Sequence, residues 1–157
     1  MQRISAAFLQ VAVVLIGIGS MAVLLLEPHI EGRNAHTTTF EIYFKDPFLA
    51  YVYVGSIPFF VALYRASGLF GHARKNGVVS HVTVDALRAI RRCAMAIIGF
   101  VAGAAVIILM FGDKDDRPAG FFMALLFTVA SSGVSIVAAM VARRSEDALK
   151  RSKGNRC

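Results

Sequence analysis

Glu27, His29 and Glu31 alternate over five residues, and Asp113, Asp115 and Asp116 crowd a second short segment. Carboxylates beside an imidazole can ligate a divalent cation. Glu27, His29, Asp115 and Asp116 are therefore the candidate metal ligands, with His36 and Asp46 nearby in the chain. Their spacing matches no strong ligand motif, and solvated loop charge is the plainer reading. The two cysteines, Cys93 and Cys157, form no CxxC or Cys/His cluster, which speaks against a zinc site and a disulfide framework. Ser/His/Asp sets, a phosphate-cradling glycine loop and HExxH are all missing from the sequence. The expectation is a non-enzymatic chain without a cofactor.

A second group is basic. Arg65, Arg74, Lys75, Arg88, Arg91 and Arg92 fall within 28 residues that hold one acid, Asp85. Such a run can meet nucleic acid, acidic protein or anionic lipid, and the elements that carry it decide between these.

The chain is 157 residues long, 57% apolar and 17% charged, with a mean hydropathy of +0.63. Soluble domains are about 45–50% apolar and about 25% charged. Four windows hold no charge: residues 4–26, 47–64, 93–112 and 118–142. About 20 helical residues cross a ~30 Å hydrocarbon core, and backbone amides in lipid must be satisfied inside the segment. The reading is an all-α integral membrane four-helix bundle of two hairpins, one domain over residues 1–157. Its spans are about 4–26, 47–65, 83–111 and 118–142. The first apolar run exceeds a signal peptide's and reads as an uncleaved span.

Orientation follows from Lys and Arg. The amino terminus, the middle segment and the tail 143–157 hold thirteen of the seventeen basic residues. The other two loops hold seven of the ten acids. Both termini and the middle segment are thus expected in the cytoplasm, with the chain in the inner or cytoplasmic membrane. Topology explains the net charge of +7, so no direct nucleic-acid contact is expected. The expected partners are the bilayer, anionic lipid at the inner face and a cytoplasmic protein docked through Arg74, Lys75, Arg88, Arg91 and Arg92.

The second span carries Pro58 and is expected to end at Tyr64–Arg65, followed by a loop punctuated by Gly68, Gly71 and Gly77. The third helix is expected to start before its span, capped by Ser80 or Thr83, with Asp85 in the first turn. About two turns then project into the cytoplasm, and the tail after residue 142 is expected to fray. His72 and His81 are read as solvated. Gly99 and Gly103 form a GxxxG, and Ser131, Ser135 and Ala139 a row of small residues. Both suit close helix packing in lipid, within the bundle or across a homo-oligomer seam. Ser131, Ser132 and Ser135, with Pro58, are also the candidates for a small-molecule site or passive conduit between the helices.

These residues resemble the bacterial family catalogued as domain of unknown function 2975. The resemblance rests on Pro58-Phe59-Phe60-Val61-Ala62-Leu63-Tyr64, and on Ser80, Val82, Thr83, Val84, Ala86, Leu87, Ile90, Cys93 and Ala94. Asp115, Asp116, Pro118 and Gly120 add to it, with one extra residue between the proline and the glycine. It implies a four-helix membrane topology and no activity. It further implies a partner among small helix-turn-helix regulators, hence membrane-tethered control of transcription.

Overall fold

The computed structural model describes residues 2–30, 47–76, 80–111 and 117–154, with side chains over 7–26, 48–73, 80–110 and 117–152. Apart from Ser80, every described residue is helical. The helices are α1 (Gln2–Ile30), α2 (Pro47–Asn76), α3 (His81–Phe111) and α4 (Arg117–Gly154). At 1.5 Å per residue they run roughly 44 to 57 Å, longer than the ~30 Å hydrocarbon core. Each contains a segment long and apolar enough to cross a membrane.

The helices run alternately up and down. Gly71, late in α2, lies against Gln10 of α1, and the Tyr53 hydroxyl, early in α2, donates to the Leu24 carbonyl at 2.8 Å. Gly55 faces Phe100, and Gly120 faces Ile108. The start of α1, the α2–α3 junction and the end of α4 therefore share one end. The described charges there are Arg65, Arg88, Arg91, Arg92, Arg143, Arg144, Lys150 and Arg151, against Asp85, Glu146 and Asp147. We call it the basic end.

Burial follows an unusual distribution. Among the described residues the buried apolar side chains are Val84, Ala86, Leu87, Ile90, Ala94, Ala138 and Ala142. All belong to the basic half of the bundle. Along the apolar windows, large side chains such as Ile18, Val54, Phe122 and Leu125 are exposed. A water-soluble protein does not present so continuous an apolar surface, and lipid is the solvent that matches it.

The most extensive helix interface joins α3 and α4. The α4 face turned to it is a row of small residues: Ala124, Thr128, Ser131, Ser135, Ala138, Ala142 and Ser145. Steps of four and three alternate along the row. α3 answers with Thr83, Leu87, Ile90, Ala94, Ile97, Val101, Ala104 and Ile108 in the same alternation. This is the repeat of helices crossing at a shallow angle. The small row therefore passes from Ser135 to Ala138, because a string of four-residue steps drifts off a 3.6-residue turn. Ala139 lies beside the seam, half-buried.

Two ends differ from the sequence expectation. The glycine-punctuated loop expected after Arg65 is helix as far as Asn76, with Gly68 and Gly71 inside it. A mid-helix glycine costs about 1 kcal/mol. Packing of Ala66 and Leu69 onto the α3–α4 core offsets that cost. The expected frayed tail is likewise helical to Gly154. Ser145 is buried there, so tertiary contact extends past the last apolar window. At the start of α3 the cap is Ser80, whose hydroxyl accepts from the Thr83 amide at 3.2 Å, while its carbonyl accepts from the Val84 amide. With His81 as the first helical residue, Asp85 lies beyond the first turn.

At the α2–α3 interface the Tyr51 hydroxyl donates to the Phe100 carbonyl at 2.9 Å, and the two rings lie 5.5 Å apart. A Cβ on Gly103 would overlap that hydroxyl, whereas Gly99 is exposed with nothing within 4 Å. Gly103→Ala is expected to destabilise the protein by about 1–3 kcal/mol through overpacking. Adding Tyr51→Phe, which deletes the overlapping oxygen, should restore part of the loss in thermal melts in detergent.

Candidate functional site: the basic end

Three helix ends build this region. The last turns of α2 bring Ala66, Leu69 and His72, and the first turns of α3 bring Thr83, Leu87 and Ile90. The late part of α4 brings Ala138, Val141 and Ala142. Leu87, Ile90, Ala138 and Ala142 form one buried cluster, with Ala66, Leu69 and Val141 packed on it.

Above the cluster a short polar chain closes the α2–α3 junction. The Ser80 hydroxyl lies 3.0 Å from the Thr83 hydroxyl and 3.3 Å from the His72 Nε2. Thr83 is 1% exposed. His72, expected in solvent, is half-buried at this junction, while His81 is exposed. The reason is the continuation of α2, which carries His72 back over the start of α3.

Arg88 of α3 donates to the Glu146 carboxylate of α4 at 2.7 Å. Arg88 is 57% exposed and Glu146 31%, so the pair sets register and contributes at most about 1 kcal/mol. Beside it, a groove of about 220 Å³ runs between α3 and α4. Ala138, Ala139 and Ala142 form its floor with Leu87, and Arg88, Arg91, Arg143 and Glu146 form its rim. Arg91 and Arg143 make no ion pair with a described residue.

The expected partner-binding residues separate here. Arg88 and Arg91 lie on the groove, and Arg92 is exposed outside it. Arg74 and Lys75 are on the last turns of α2, and their side chains lie outside the described residues. Among the small residues proposed for packing, Ser131 is buried and Ser135 and Gly103 half-buried, Ala139 lines the groove, and Gly99 is open. The Thr128 hydroxyl donates to the Ala124 carbonyl of its own helix. Cys93 is a half-buried free thiol. Glu27 and His29 sit on the last turn of α1 with undescribed side chains, and Asp115 and Asp116 lie outside the described residues. Among the described residues no three His, Cys, Asp or Glu side chains come together.

Sequence reasoning took Arg143 only as part of a basic docking tail and passed over Glu146, because it stopped α4 at residue 142. One signal was present. The row of small residues continues in step through Ser145 to Leu149, which is the pattern of a helix still packed on a neighbour.

A family model described as "Protein of unknown function (DUF2975)" matches residues 32–150, the stretch that contains α2, α3 and most of α4. The chain is also 33% identical over 150 residues to "Uncharacterized membrane protein YoaS" of Bacillus subtilis (strain 168), covering 95% of this chain and 94% of that relative. No solved structure matches. Four membrane-length helices, the seam-forming α3–α4 hairpin and the family match over residues 32–150 converge: this chain is a membrane protein of the DUF2975 family.

Proposed function

We propose that the protein is a non-enzymatic interaction protein whose basic end faces the cytoplasm and docks a soluble partner there. The observation that carries the reading is the position of the buried core. Residues 84–94 and 138–145 bury side chains at and beyond the edges of the charge-free windows. Interhelical packing that only held spans together would be spread along them. A core raised to the boundary instead makes a firm platform for groups that face water. Exposed Arg88, Arg91 and Arg92 stand on it.

The partner class follows from the family resemblance: a small helix-turn-helix regulator, held at the membrane by protein contact. Basic side chains suit an acidic face of such a regulator and add to the rate of encounter. Of the hydroxyls that a conduit would use, Ser131 and Ser135 lie in the packed α3–α4 seam. Ser131 is buried in the α3–α4 seam and Thr128 bonds its own helix, which favours docking over a pathway.

Orientation is tested first. Under the positive-inside rule, a fluorescent protein fused after Cys157 should fluoresce, and alkaline phosphatase at the same site should be inactive. The opposite pair of results rejects a cytoplasmic basic end. Docking is then tested by affinity purification in mild detergent, with the native chain beside the Arg88→Glu, Arg91→Glu, Arg92→Glu variant. A helix-turn-helix protein should be enriched with the native chain and lost with the reversed one, while both chains melt cooperatively. Recovery that charge reversal leaves unchanged, or no specific soluble protein at all, counts against the reading.

A further inference from the structure

The α3–α4 groove has features that protein docking leaves unused. Its rim carries three guanidinium groups against one carboxylate, so two positive charges are unbalanced. Glu146 is engaged by Arg88, which holds that guanidinium beside the groove. Arg91 and Arg143 make no ion pair with described residues, and both are exposed.

Depth adds a second argument. The apolar window of α3 begins at residue 93 and that of α4 ends at residue 142. Arg91 and Arg143 therefore sit on the two helices within two residues of the apolar boundary. That is the level of lipid headgroups, where a long basic side chain places its charge at the interface. The floor is apolar and made of short side chains, Ala138, Ala139 and Ala142 with Leu87. Its lower continuation along α3, one turn below Arg91, carries exposed Met95. A ligand seated here has an anionic head between guanidiniums and an apolar body along the helices.

We propose that this groove is a binding site for a phosphate-bearing lipid headgroup, and specifically for an anionic phospholipid with two negative charges. Guanidinium groups bind phosphate oxygens through paired, charge-assisted hydrogen bonds. Basic pockets between membrane helices are suited to headgroups of this kind. Two unbalanced positive charges match a dianionic head better than a monoanionic one. Glu146 contributes indirectly, by fixing Arg88 and spacing the rim. The site shares Arg88 and Arg91 with the docking proposal but does not rest on it: its ligand comes from the membrane, and Arg143 belongs to the lipid site alone.

The test uses the full chain in a neutral detergent. Thermal melting is followed while cardiolipin, phosphatidylglycerol, phosphatidylcholine or inorganic phosphate is added. Cardiolipin should raise the melting temperature saturably and at lower concentration than phosphatidylglycerol, with no effect from phosphatidylcholine. Arg91→Gln with Arg143→Gln should raise the half-saturating cardiolipin concentration by at least about tenfold, the effect of losing charge-assisted hydrogen bonds. Arg92→Gln with Arg144→Gln removes the same charge at the same level outside the groove, and should shift it by less than about threefold, as expected of screened surface charge. Equal losses in the two double variants would reduce the effect to general surface charge and overturn the site. Inorganic phosphate alone reproducing the stabilisation would assign the groove to a free anion and overturn the lipid. A melting temperature indifferent to cardiolipin would also overturn it. Both variants change exposed side chains, so their lipid-free melting should match the native chain, and a variant that fails to fold is replaced by its Arg→Lys counterpart, for which weaker cardiolipin binding is expected with the charge retained.

Discussion

The seam between α3 and α4 is the constraint on which the rest of the molecule depends. In lipid, pairing two apolar helices gains nothing from the hydrophobic effect, because lipid tails are as apolar as the side chains. Close approach must come from shape. The α4 row from Ala124 to Ser145 supplies that shape by keeping every facing side chain short. Larger residues enter on the α3 side, and the two deepest of them, Leu87 and Ile90, sit at the basic end. There the helices leave the apolar windows and water becomes a competitor, so burial of leucine and isoleucine contributes as it does in a soluble core. The bundle is held by fitted contact in the lipid and by hydrophobic burial at its rim.

That division explains why α2 and α4 outlast their apolar windows. A helix of polar and glycine-containing sequence has little intrinsic stability in water. The end of α2 persists because Ala66 and Leu69 lie on the cluster and His72 meets the Ser80 cap. The end of α4 persists because Ser145 is buried and Glu146 reaches Arg88. The cap on α3 fixes where the hairpin between α2 and α3 closes. Arginines on these extensions are thus placed by packing, although their own ion pair contributes little.

Much of the architecture was legible from charge alone. Uninterrupted apolar windows of 18 to 25 residues leave helix as the only structure that satisfies its own backbone in lipid. The cap on α3 was legible as Ser80 or Thr83 from the apolar positions that follow, and the contacts of Ser80 decide between them. What was not legible depended on neighbours distant in sequence. Gly68 and Gly71 read as a loop because glycine is a breaker in isolation, and only the surface of Leu87 and Ala142 overrides that. Glu146 read as tail because its partner, Arg88, is 58 positions away, and Arg143 read so because the α3 side of the groove is as distant in sequence. The groove exists only after both helices are in place. Of the GxxxG pair, the Tyr51 hydroxyl occupies the space at Gly103, and Gly99 stays open, a distinction that spacing does not carry.

The central claim is that a packed, helical platform rises at the basic end beyond the apolar windows. Hydrogen exchange of the full chain in lipid nanodiscs tests it directly, read at residues 66–72 and 143–149, where lipid does not shield the amides. The account predicts slow exchange in both stretches, with protection falling together when Leu87 is changed to Ala. Exchange there at the rate of open peptide, with protection confined to the apolar windows, would contradict it.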